Sequence, residues 1–193
     1  VNMLFATGFQ KTHRQLGGLG IDWMDRIEKA TEGRVKMRGA FGGTLLKATK
    51  TLEGVMKGTA DAGAIILGYT PGKLPLGSSL SALVDIELGN KLDMRGVSAI
   101  QMKLVEEFPE FRKEFQRLGI EPMFWLPTFP YCIFTRDAVN SVNDLKGKKM
   151  RAFGYYLPKL FEAIDATPVA LAFGELYTGL QTRVVDGCIT DPP

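Results

Sequence analysis

Short apolar runs alternate with amphipathic helical stretches along nearly all 193 residues, with glycine at the joints. A helix between two consecutive strands suggests parallel βαβ packing, so this alternation points to an α/β design. Val1–Gly8 is the first strand run. Leu16, Leu19, Trp23, Ile27 and Ala30 then recur at helical spacing, and Gly33 closes that helix. Val35–Phe41 is a second strand. Gly42, Gly43 and Thr44 open a helix with Leu45, Leu52, Val55 and Met56 inward, Gly58 stops it, and Asp61–Leu67 is a third strand. Residues 69–90 are rich in Gly, Pro and Ser and read mainly as loop. A long helical pattern from Val97 to Leu118 is split at Pro109. Strands are expected at Ile120–Leu126, Tyr131–Thr135, Lys149–Phe153, Pro168–Ala172 and Val184–Ile189. Between them lie a capped turn at Ser141–Gly147 and helices at Leu157–Ile164 and Gly174–Thr182.

One unit occurs twice. Ala40-Phe41-Gly42-Gly43 opens a helix that ends before Asp61-Ala62-Gly63, and Ala172-Phe173-Gly174-Glu175 opens one that ends before Asp186-Gly187. The repeat predicts two similarly built lobes, 1–124 and 125–193, and the groove between two lobes is where a small ligand is expected.

Composition narrows the function by exclusion. A net charge of +3, with both signs interspersed, gives no nucleic-acid footprint. No apolar run is long enough to span a membrane. The absence of a leader pattern before the first strand leaves two options open, a cytoplasmic chain or one whose leader lies outside this sequence. Cys132 and Cys188 form no CxxC motif and have no histidine nearby, so no zinc site is expected, and they neither require nor exclude an oxidising compartment. Gly17-Gly18-Leu19-Gly20 falls inside a helical pattern rather than at a strand-to-helix turn, and Gly147-Lys148 lacks the upstream glycine of a phosphate loop. No nucleophile–base or acid–base set stands in a recognisable context, so no catalytic residue, metal or cofactor is assigned. The single histidine, His13, reads either as a loop residue or as a ligand contact.

The remaining chemistry is cationic and aromatic. Arg151 sits on an alternating strand that leads into Gly154, among Trp125, Phe129, Tyr131, Phe153, Tyr155 and Tyr156. Its planar fork suits a carboxylate in two bonds. The residues alone leave two readings, a ligand anchor or one more strand-edge charge beside Lys148 and Lys149. The aromatics divide in the same way between core packing and a ligand wall.

Several segments, in order, resemble one family. They are Thr31-Glu-Gly33-Arg34-Val35 through Phe41-Gly-Gly-Thr-Leu45, Leu52-Glu-Gly-Val55 through Asp61, Asn143–Arg151, and above all Ala166–Gly187. This pattern is similar to that of the solute receptors of TRAP (tripartite ATP-independent periplasmic) transporters, DctP type. The resemblance implies a type II periplasmic-binding-protein-like α/β fold, with two lobes around a ligand cleft. It implies a periplasmic, non-enzymatic receptor that binds a small organic acid and delivers it to the TRAP membrane permease subunits. It further implies that Arg151 grips the ligand carboxylate, and that Phe9 and Gln10, the Leu67-Gly68-Tyr69 turn and the segment after Asp186-Gly187 line the cleft. Family polypeptides continue past the position of Pro193, so the resemblance also implies that the C-terminal part is missing.

Two departures bear on the ligand. Tyr131 stands near a position where many sialic- and dicarboxylic-acid receptors of the family carry a second arginine, and Thr190 stands where an asparagine is usual. With Phe129, Phe153 and Tyr155 on nearby segments, an aromatic or branched monocarboxylate is expected ahead of dicarboxylates and sialic acid. Two rival readings are an enzyme acting on a small acid on a similar bilobal scaffold and a cytoplasmic effector-binding module.

Overall fold

β1 (Asn2–Ala6) is the apolar run that opens the chain, and it pairs in parallel with β2 (Lys36–Ala40) on one side and β3 (Ala62–Gly63) on the other. The computed structural model describes residues 1–82, 94–125 and 131–190. They fall into two compact units, Val1–Ile66 and Leu67–Pro193.

In the first unit, α1 (Leu19–Ala30) is the crossover between β1 and β2, and it buries Gly20 and Met24 against the sheet. Asp22 in its first turn and Lys29 in its last complement the helix dipole. Phe5, Met24 and Phe41 form the core, flanked by Ile21, Trp23 and Met37. The Phe5 ring meets Trp23 and Phe41 at centroid distances of 6.0 and 6.1 Å. Burying a side chain such as Phe5 contributes about 1.5–3 kcal/mol, and Phe5→Ala, which also leaves a cavity, should cost about 3–5 kcal/mol. A π-type turn at Arg14–Gly18 precedes α1, where His13 Nδ1 accepts the Leu16 N–H at 3.2 Å.

Two expectations fail here for identifiable reasons. The helix anticipated from Gly42 begins only at Thr51, as α2 (Thr51–Met56), after a 3-10 turn at Ala48–Lys50. Gly42 and Gly43 take φ values of +67° and +74°, which are incompatible with a helix start, and Leu45 is left exposed. The strand expected over Asp61–Leu67 is only the two residues of β3. The ladder is limited by its partner: Ala64 N–H reaches the Ala6 carbonyl, and β1 ends there.

The second unit is a four-stranded sheet in the order β4-β7-β5-β6. β4 (Cys132–Thr135) runs antiparallel to β7 (Gly187–Thr190), whereas β5 (Lys149–Ala152) is parallel to both β7 and β6 (Thr167–Ala170). α6 (Tyr156–Ala163) crosses between β5 and β6, and α7 (Leu176–Gln181) lies between β6 and β7. Side chains alternate between faces, so Met150, Ala152 and Ile189 share the face that packs with Leu145, Phe161 and Ala166. Arg151 and Cys188, paired across β5 and β7, share the opposite face. The capped turn is present at Val142–Leu145, where Asp144 Oδ2 accepts the N–H groups of Asn140 and Ser141, each at 2.9 Å. Those two bonds hold the Asp144 carboxyl below its ordinary pKa.

Among the described residues, this unit also holds α3 (Pro75–Ala82), α4 (Met94–Glu107) and α5 (Pro109–Gln116). Pro109 splits the long helical pattern as expected, sitting in the first turn of α5. α3 replaces part of the expected loop. Leu74 and Leu80 are fully buried there, and the Glu114 carboxylate accepts the N–H groups of Leu76 and Gly77 at 2.8 and 2.9 Å. The expected strand at Ile120–Leu126 is absent over residues 120–125, and Leu126 lies outside the described residues. Instead, the Trp125 ring packs edge-on to Phe115 at 5.4 Å, and Ser98 Oγ donates to the Trp125 carbonyl. Contact with α4 thus takes the Trp125 carbonyl, and the Trp125 ring packs on α5. Among the described residues, no helix is long and apolar enough to cross a membrane.

The repeat seen in the sequence is a repeat of topology. Orders β2-β1-β3 and β6-β5-β7 are equivalent, with every strand parallel. Asp61 brackets Leu4, accepting its N–H at 2.7 Å and donating its own N–H to its carbonyl, and Asp186 brackets Lys149 in the same way at 2.8 Å. Gly187 follows because a Cβ there would lie 2.6 Å from the Phe134 carbonyl oxygen. The Ala-Phe-Gly similarity is out of register, since Ala40 occupies the place of Val169 rather than Ala172. By the same alignment, Arg151 stands where the first unit has Ala6.

Candidate functional site

Arg151 is held on β5 between β6 and β7, 1% exposed. Its Nε donates to the Leu171 carbonyl at 2.9 Å, Nη1 to the Ile189 carbonyl at 3.2 Å, and Nη2 to Tyr69 Oη at 3.0 Å. The Phe153 ring covers one face of the guanidinium, 4.5 Å from its carbon. All these acceptors are neutral, and among the described residues no carboxylate forms an ion pair with Arg151. A guanidinium carries five N–H groups, so three bonds leave one on each terminal nitrogen. A buried cation among neutral dipoles, with two donors in reserve, is a site built for an anion with two oxygens.

The aromatic surroundings are ordered by edge-to-face contacts. Tyr69 meets Phe153 at 5.5 Å, and Tyr131 meets Phe153 at 5.8 Å. Tyr69 stands on the Leu67–Tyr69 3-10 turn, whose Leu67 carbonyl accepts from Ser78 Oγ at 2.7 Å. Gly68 is required there, because a Cβ would lie 2.9 Å from the Phe153 ring. Tyr131 also packs against the core of the second unit.

Arg151, Tyr69, Phe153 and Tyr131 are therefore brought together, with Leu67 and Gly68 supporting Tyr69. Thr190 is buried at the end of β7, one residue beyond the Ile189 carbonyl that holds Arg151. Tyr155 is 55% exposed and is engaged with Lys159 and Tyr156 instead. Phe9 and Gln10 belong to the first unit: Phe9 is buried edge-on to His13, and Gln10 is exposed. Phe129 lies outside the described residues.

Three partners escaped sequence reasoning. The Leu171 and Ile189 carbonyls carry no signature, because any residue supplies one. Cys188 carries no motif beyond its possible pairing with Cys132, yet it is the register partner of Arg151. Burial pushes the Cys188 thiol up, partly offset by the nearby guanidinium. Cys132 is exposed and lies opposite Thr190, two positions from the Phe134–Cys188 pair, and both cysteines are free thiols.

Comparison with known proteins agrees with this architecture. The model of bacterial extracellular solute-binding protein family 7, DctP, matches residues 5–191. A TRAP periplasmic solute-binding protein from Desulfovibrio salexigens is similar at 31% identity and TM-score 0.70, over 98% of this chain and 56% of that one. A TRAP solute-binding protein from Rhodoferax ferrireducens in complex with copurified benzoate is 20% identical at TM-score 0.81, over 98% of this chain and 57% of that one. The 2,3-diketo-L-gulonate-binding periplasmic protein of Escherichia coli is 24% identical over 164 residues, 84% of this chain and 48% of that protein. The chain thus spans about half the length of such relatives. With the family's pattern running through both units, this chain belongs to the DctP family of bacterial extracellular solute-binding proteins.

Proposed function

We propose that the chain serves as an extracytoplasmic, periplasmic receptor that captures a small organic acid by its carboxylate and presents it to the membrane subunits of a TRAP transporter, without catalysis. The observation that carries this reading is Arg151: buried, bonded only to neutral acceptors, and holding one spare N–H on each terminal nitrogen. Membership of a solute-binding family supports it. The division into lobes at 124/125 belongs to the same proposal. It is supported by all strands of the second sheet falling after that point.

The ligand class follows from the neighbours of Arg151. One solved relative of this fold holds benzoate and another relative is named for 2,3-diketo-L-gulonate, so the fold alone does not select the body of the acid. Here Phe153 covers the guanidinium, Tyr69 bonds to it, and Tyr131 packs on the Phe153 ring. Burying roughly 150 Å² of aromatic ligand contributes about 4 kcal/mol. A second ligand carboxylate buried without a cation costs several kcal/mol instead. An aromatic or branched monocarboxylate is favoured over C4-dicarboxylates and sialic acid.

Calorimetry with benzoate, isovalerate and succinate on the wild-type protein and on Arg151→Lys tests this. Lysine cannot form the planar pair, and the loss should be on the order of 2–5 kcal/mol. Unchanged affinity in the variant overturns the anchor, preference for succinate overturns the ligand class, and turnover of any bound acid favours an enzyme.

A further inference from the structure

The phenol of Tyr69 has an arrangement that the anchor by itself does not require. Its Oη accepts two hydrogen bonds, from Arg151 Nη2 at 3.0 Å and from the Phe173 backbone N–H at 3.1 Å. A phenolic oxygen carries one proton and accepts through its lone pairs. Two N–H donors already point at this oxygen, so its O–H bond is directed away from both. Among the described residues no acceptor is bonded to that proton. The ring cannot swing to find one, being held edge-to-face on Phe153 at 5.5 Å, with Gly68 pressed against the same ring.

We propose that Tyr69 donates its hydroxyl proton to the carboxylate of the bound acid, beside the two spare N–H groups of Arg151. This rests on the reading of Arg151 as the ligand anchor. The clamp is then three donors and one positive charge, with no acceptor among them. Such a set selects the deprotonated acid and rejects its amide, whose NH₂ group would face donors only. Tyr69 also positions the clamp, because the same oxygen fixes Nη2 of Arg151 and ties it to the start of the Phe173–Glu175 turn.

The test uses benzoate, pyroglutamate and their amides on the purified chain, with three variants read by calorimetry. Tyr69→Phe keeps the ring and deletes the oxygen, and affinity for the acid should fall about 10- to 100-fold. Incorporation of 3-fluorotyrosine at position 69 separates the two roles of the hydroxyl and keeps the fold if the phenylalanine variant does not. Fluorine makes the phenol a stronger donor and a weaker acceptor, so tighter binding identifies donation to the ligand. Weaker binding would mean that the hydroxyl only positions Arg151, and would overturn the proposal. Unchanged affinity in Tyr69→Phe, with binding lost in Arg151→Lys, also overturns it while leaving the anchor intact. If neither acid binds the wild type, or if Arg151→Lys binds normally, the anchor and the proposal fall together.

Discussion

Glu114→Ala removes the carboxylate that closes the start of α3. Both oxygens are used, one on the Leu76 N–H at 2.8 Å and the other on the Gly77 N–H at 2.9 Å. The residue is only 7% exposed, so water does not readily replace it. Hydrogen bonds to a charged group are worth about 1.5–3 kcal/mol net, and helix-cap losses run to about 2 kcal/mol. The Leu76 amide is only partly buried and regains water, leaving a cost of about 1 kcal/mol. The Gly77 amide is buried and loses its partner outright, which adds about 2 kcal/mol. The expected total is about 3 kcal/mol, or roughly 6–12 °C in Tm for a chain of this size. Glu114→Gln keeps one acceptor oxygen and should lose about half as much. Urea titration followed by circular dichroism measures the difference, and amide exchange at Gly77 should rise with it. A loss below about 0.5 kcal/mol, the range of ordinary surface substitutions, refutes the cap.

Thiol labelling of the native protein should modify Cys132 quickly and Cys188 only on unfolding, because Cys188 is buried and its thiol pKa is raised. Equal rates would contradict its placement against Arg151. The Asp144 pKa is lowered in the fold, so its contribution is present above the unfolded value of about 3.9 and is lost as pH falls through the lower folded value. Asp144→Asn should therefore flatten the acid limb of a stability–pH curve below about pH 4, and an identical limb would refute the link. Gly68→Ala should cost about 1–3 kcal/mol by forcing Phe153 aside, and should weaken benzoate binding through Arg151. A variant with wild-type stability and affinity would show that the Phe153 ring is free to yield.

Local sequence physics determined the elements whose pattern matched their surroundings. β1, α1, the break at Pro109, and the capped turn before β5 are all legible because apolar period, capping and proline chemistry act over a few residues. Asp61 and Asp186 are legible as the shared end of the repeated unit, whereas their bracketing of Leu4 and Lys149 is a product of the folded sheets. For the site, residue spacing left Arg151 undecided, and only its family resemblance tipped it toward a ligand. Tertiary structure decided the rest. α3 forms in a segment of loop composition because Glu114, distant in sequence, caps it. Residues 120–125 form no strand because Trp125 finds Phe115 and α4 instead. The setting of Arg151 depends on carbonyls of Leu171 and Ile189 and on a hydroxyl from Tyr69, which lies 82 positions away. Backbone carbonyls are the same in every residue, so no sequence pattern distinguishes the two that hold this cation from those that do not.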